Sequence, residues 1–254
     1  MEPLVRRLQL RSAQLTARVV AELWANPFWQ ERFGDRGRRY ATEDGQHHVA
    51  YLIEALIAAD ASVLTGYARW LQSVLTSRGM CSLHLAANFD HLAAAIADEE
   101  QAAEPAVELL RAAREALRYD SGPARELQDR TPQLIDAVAH ELRHLLPVDA
   151  DGGARQRCRE DIGYHLAYLA DALALARPDL FTAYALWSRG FLAQRGIPLE
   201  HLTSTLRAID AELVRDPDIS TALRSPATDM LDHALARLEA PDAGPDQLAA
   251  EGPS

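Results

Sequence analysis

The stretch Glu43-Asp44-Gly45-Gln46-His47-His48-Val49-Ala50-Tyr51-Leu52 returns 117 residues later as Glu160-Asp161-Ile162-Gly163-Tyr164-His165-Leu166-Ala167-Tyr168-Leu169. The register holds without a gap: residues 43–96 align onto 160–213, and 19 of the 54 positions are identical. An Ala- and Leu-rich chain supplies only a handful by coincidence. Self-similarity at a fixed offset marks a repeated structural unit, so we expect an internal duplication.

Each copy reads as helices. Val49, Leu52, Ile53 and Leu56 recur at three- and four-residue spacing, as do Val63, Tyr67, Trp70 and Leu71, and then Leu85, Phe89, Leu92 and Ile96. The second copy repeats the stripes with Leu166, Leu169 and Leu173, then Leu180, Tyr184, Trp187 and Phe191. No segment alternates with period two between hairpin turns, so no β-sheet is expected. The spacing predicts helices over about 4–24, 38–59, 62–78, 82–99 and 104–118, then about 131–146, 155–176, 179–195, 198–214 and 225–239. Thr131-Pro132 and Ser225-Pro226 look like helix starts, and Gly79 and Gly196 like left-handed stops. The fold class is an all-α, internally duplicated antiparallel helical bundle. Residues 1–120 form the first repeat, 121–240 the second, and 241–254, with their prolines and glycines, a disordered tail. Two bundles or one ten-helix domain both satisfy this pattern.

Composition narrows the chemistry. The 254 residues are 48% hydrophobic and 25% charged, with formal net charge −11. That charge repels phosphate backbones and anionic lipid, which argues against nucleic-acid and membrane-surface partners. All 26 basic residues are Arg, so no Lys exists for a pyridoxal Schiff base or a phosphate loop. The first residues lack the apolar core of a secretory signal, and no run reaches the ~18–20 apolar residues of a membrane span. Two cysteines, Cys81 and Cys158, make neither a disulfide framework nor a zinc ribbon, which suits a reducing cytoplasm.

Polar residues also recur. Asp44 and His48 lie one helical turn apart, as do Asp161 and His165. Counting helix rise from the turns brings Asp44, His48, Arg78 and His84 to one end of the first bundle. Asp161, His165, Arg195 and His201 reach the same end of the second. Two imidazoles and a carboxylate at one level suit iron or zinc, or an acidic or planar, tetrapyrrole-like ligand with arginine as its anion partner. A buried Asp–Arg pair orienting a satisfied histidine explains the same pattern structurally.

The second copy adds His140-Glu141-Leu142-Arg143-His144, a His-Glu-x-x-His spacing resembling that of zinc peptidases. Two imidazoles one turn apart chelate zinc while the glutamate activates water. On this reading Glu141 is the catalytic base, and His140, His144, Asp161, His165 and His201 supply metal ligands. Arg143 beside the second histidine, and the lack of a strand for an extended substrate, depart from that pattern. The segment Asn26–Gly37 reads as a loop whose Trp29, Phe28 and Phe33, with Trp24, either cap the bundle end or cover a planar ligand.

Tyr51-Leu52 with Ala55-Leu56, Arg78-Gly79 and their copies resemble the helical modules that precede cobalamin-binding domains in bacterial sensors. The Asp-x-His-x-x-Gly motif of a cobalamin-binding domain is missing. The leading expectation is therefore a cytoplasmic ligand-binding or sensory/regulatory protein that holds a small ligand or metal at inward Asp/His/Arg clusters. A metal-dependent oxidase or hydrolase at His140–His144 and a partner-binding adaptor are the alternatives, and a homodimer is compatible with each.

Overall fold

The structure is a computed structural model and describes residues 2–145 and 152–240. Among the described residues it is all helical: ten α-helices, one 3-10 turn and no strand. The chain divides into two compact units, Met1–Asp120 and the residues from Ser121 onward.

The first unit contains α1 (Glu2–Trp24), α2 (Pro27–Ala58), α3 (Ala61–Thr76), α4 (Ser82–Glu99) and α5 (Glu104–Glu115). Cap chemistry sets the boundaries. Asn26 accepts the Phe28 amide at the start of α2, with Pro27 in the first turn, and Asp60 accepts the Ser62 amide at the start of α3. Ala59 ends α2 in the left-handed conformation, and Gly79, at φ 83°, follows α3. The second unit contains α6 (Gly122–Glu141), the 3-10 turn Leu142–Leu145, α7 (Gly152–Leu175), α8 (Pro178–Ala193), α9 (Leu199–Arg215) and α10 (Thr221–Glu239). Ala176 and Gly196 are left-handed at its two corresponding bends.

Packing follows one order in each unit. In the first, α1 lies on α2 and α4, α3 on α2 and α5, and α4 on α5. In the second, α6 lies on α7 and α9, α8 on α7 and α10, and α9 on α10. The apolar stripes read from sequence fill both interiors: Leu52, Leu64, Phe89 and Ile96 in one, and Leu166, Phe181, Leu206 and Leu231 in the other. At the rim of the first unit the buried Glu100 carboxylate accepts Arg7 at 2.6 Å and Arg11 at 2.9 Å, while Arg18 binds Glu22, Asp98 and Glu99. Arginine thus joins α1 to the end of α4, a structural use of an all-Arg chain.

Gly45 lets α1 and α2 approach closely. A Cβ built there meets Thr16 Cγ2 at 2.6 Å, so the buried Thr16 side chain or the helix it sits on must shift. Gly45→Ala is therefore expected to destabilise by about 1–3 kcal/mol despite alanine's better helix propensity. Thr16→Ser, which removes that methyl, should recover most of the loss; the check is urea unfolding of both variants and the pair.

Three sequence expectations change. Asn26–Gly37 is not a loop: α2 begins at Pro27 and runs through it, broken only at Gly34, whose φ 61° and ψ −166° are non-helical. Pro27, Gly34 and Gly37 imitate a loop in sequence, yet the first takes an N-terminal position and the last stays helical. Thr131-Pro132 does not start α6, which begins nine residues earlier; Thr131 Oγ1 instead donates to the Leu127 carbonyl, and Pro132 sits on the exposed face. Ser220, not Ser225, caps α10 by accepting the Leu223 amide. The expected tail 241–254 lies outside the described residues.

Candidate functional site

His48 reaches the first unit's interior from α2, and α3 meets it. Its Nδ1 lies 2.8 Å from the Tyr67 hydroxyl, and Phe89 of α4 packs edge-on with ring centroids 5.3 Å apart. Tyr51 stacks on Tyr67 at 4.1 Å. His48 is 2% exposed, and burial, with His47 nearby, pushes its pKa down to about 3. The imidazole is thus neutral and keeps one donor and one acceptor nitrogen. Burial, the Asp44 charge and Tyr51 push the Tyr67 phenol up, so its proton stays in place.

The second unit repeats this arrangement. His165 Nδ1 lies 2.9 Å from the Tyr184 hydroxyl, and Tyr168 stacks on Tyr184 at 3.6 Å. Burial pushes the His165 pKa down to about 4. Histidine and tyrosine stand nineteen positions apart in both units, across one helical hairpin.

Asp44 and Asp161 begin the same helix faces one turn earlier. Asp44 is half-buried, and burial raises its pKa; Glu43 adds to the rise, while His47 and Arg78 act against it. Asp161 is open to solvent on one side, yet the protein crowding its carboxyl, and then Glu160, push its pKa up, with Arg157 opposing. Water on that open side tempers the rise. Arg78 is exposed. Arg195 lies over the Phe191 ring at 3.7 Å and donates to the Phe191 carbonyl. His201 sits half-exposed in the first turn of α9.

His84 has a different environment from His48. It is 0% exposed at the start of α4, and Phe28, Trp29 and Phe33 surround it at centroid distances of 5.0, 5.1 and 5.8 Å. Cys81 Sγ lies 3.7 Å from its Nδ1. Burial, then the Arg32 charge, push its pKa down to about 3.

The His-Glu-x-x-His segment faces outward where it is described. His140 and Glu141 are exposed, and they line an open groove between α6 and α9 with Asp136, Glu212 and Arg215. The Arg143 guanidinium lies 3.0 and 3.1 Å from the two ring nitrogens of His140, where it competes with any metal cation. Arg215 lies 3.7 Å from Glu141. The helix also ends inside the motif: Glu141 closes α6 and Leu142–Leu145 form the 3-10 turn, so the one-turn helical spacing is lost. The His144 side chain lies outside the described residues. Among those residues no three His, Cys, Asp or Glu side chains gather as a metal-holding group.

The structure therefore joins His48 to Tyr67, and His165 to Tyr184, whereas His84 and His140 belong to separate surroundings. The tyrosines read as core from their apolar spacing; their identity in the two aligned segments at a constant distance from the histidine was the available signal. No protein-family model matches the chain, and no curated protein or solved structure is detectably similar to it. No helix among the described residues is long and apolar enough to cross a membrane.

Proposed function

We propose that this chain is a cytoplasmic ligand-binding or sensory/regulatory protein, built from a duplicated five-helix unit. It holds a small ligand at the polar ends of its bundles. Asp44, Arg78 and His48 serve in the first unit, with His84 in separate surroundings of the same unit; Asp161, His165, Arg195 and His201 form a parallel set in the second. The observation that carries this reading is the neutral histidine bonded to a tyrosine in both units. Such a pair gives a ligand a fixed donor and acceptor without a mobile charge. The carboxylates at positions 44 and 161, with raised pKa values, mark where each pair nears solvent. Perturbed groups of this kind concentrate at functional sites.

The test is a thermal-shift screen of the purified protein against heterocycles and small acids, read beside its absorption spectrum and metal content. A ligand at 100 times its dissociation constant adds about 2.7 kcal/mol to stability. Asp44→Asn and Asp161→Asn keep the size of the side chain and should reduce that gain at least tenfold in affinity. Equal shifts in wild type and both variants would overturn the reading.

A further inference from the structure

We propose that the space around His84 is a binding site for a flat, neutral heteroaromatic molecule, closed in this structure by the chain's own hinged segment Pro27–Phe33. This deepens the ligand-binding reading above by naming the ligand class for the His84 end of the first unit.

Three independent features point there. Phe28, Trp29 and Phe33 present ring faces and edges to the imidazole at 5.0–5.8 Å, the spacing at which aromatic rings attract one another. Trp29 is buried, whereas Phe28 and Phe33 are only half-buried, so the nest reaches the surface of the first unit. Asn88 lies one turn beyond His84 on the same face of α4. It is 8% exposed, yet its buried Oδ1 accepts no hydrogen bond from the described residues. A buried amide oxygen left without a donor costs stability, and a ligand N–H removes that cost.

The third feature is the hinge. Gly34 interrupts α2 at φ 61° and ψ −166°, a conformation essentially confined to glycine, and a Cβ built there meets nothing within 4 Å. Empty space around the glycine means that no close backbone contact requires it; the backbone angle does. The segment on its N-terminal side carries Phe28, Trp29 and Phe33, and Trp24 at the end of α1 packs on Trp29 at 5.2 Å. Rotation at Gly34, with the short link after Trp24 as the second pivot, lifts three rings together off His84. The incoming ring replaces their contacts, pairs with the neutral imidazole and donates to Asn88. The Arg32 charge acts on His84 and disfavours a cationic ligand, and the bare Asn88 oxygen calls for an N–H donor, which a neutral heteroaromatic ring supplies.

Lumichrome, a flat neutral heterocycle with N–H donors, is the probe. His84 is neutral across the working range, so its carbethoxylation by diethyl pyrocarbonate, mapped by mass spectrometry, reports access and not protonation. In wild type His84 should label at least tenfold faster than global unfolding permits, and saturating lumichrome should slow it at least fivefold while quenching tryptophan emission at one equivalent. Gly34→Ala, which disfavours the closed angle, should raise the labelling rate at least threefold. Asn88→Ala should weaken lumichrome binding about tenfold without lowering the unfolding midpoint, since it removes an unsatisfied amide. Labelling no faster than unfolding, or lumichrome without saturable protection of His84, would overturn the proposal. Neither result bears on the Asp44 and Asp161 variants, so the two readings fail separately.

Discussion

Between pH 7 and pH 5 the protein is expected to lose a few kcal/mol of folding stability, measured as a falling urea midpoint. Burial holds His48 and His84 at about 3 and His165 at about 4, against an unperturbed value near 6.5. A histidine with a depressed folded-state pKa contributes stability that is fully present above the unfolded value. Below pH 6.5 the unfolded chain takes up protons that the folded chain refuses, and stability falls until the folded pKa is reached. By pH 5 each of the three imidazoles costs about 2 kcal/mol. Asp44, Asp161 and Asp210 act oppositely, because burial raises them and the folded state takes up their protons first. Asp161 is open to water and the other two are partly exposed, so they offset only part of the loss. A midpoint that stays level or rises down to pH 5 would mean that the carboxylates dominate.

The second large effect is expected from Phe89→Ala. Phe89 is fully buried on α4 and its ring lies against His48. Removing a buried phenylalanine side chain typically costs about 3–5 kcal/mol through lost transfer energy and the cavity left behind. Here the cavity also borders a neutral imidazole, and water entering it would relieve the burial that depresses the His48 pKa. The variant should therefore unfold at much lower urea, and its remaining acid sensitivity should shrink. Phe181→Ala, at an equally buried position in the second unit, should cost a similar amount while leaving His48 untouched. A loss under about 1 kcal/mol for Phe89→Ala would show that the core near His48 can collapse around the gap.

The apolar stripes made the helices legible, because three- and four-residue spacing needs no tertiary information. Val49, Leu52 and Leu56 face the core as their spacing requires. Left-handed Gly79 and Gly196 were legible for the same local reason. The helical character of Pro27–Phe33 was not. Its two downstream glycines weaken the helix signal, and the segment folds because Trp29 buries its indole beside His84, a contact 55 residues away. Pro132 misled in the same manner: a helix tolerates proline on its exposed face when neighbouring turns are held by core contacts such as Leu127 and Leu134.

The site was legible only in part. Identity between the two aligned segments singled out Asp44, His48 and His84, but helix-rise counting places residues at a level and not in contact. It therefore grouped His84 with His48, whereas the rings of α2 surround one and those of Tyr67 and Phe89 surround the other. Trp70, identical to Trp187 at the aligned position, is 58% exposed, so identity alone did not separate interior from surface. His140 and Glu141 carried a catalytic spacing that loses its meaning once the helix ends at Glu141.

Everything functional here turns on uncharged imidazoles held by tyrosines inside each unit. Nitrogen-15 NMR titration of the histidine side chains, from pH 8 to pH 4.5 at a temperature well below unfolding, reads their charge directly. The account predicts that His48 and His165 keep one protonated and one bare ring nitrogen throughout. Imidazolium signals for His48 and His165 appearing with midpoints near 6.5 would contradict it.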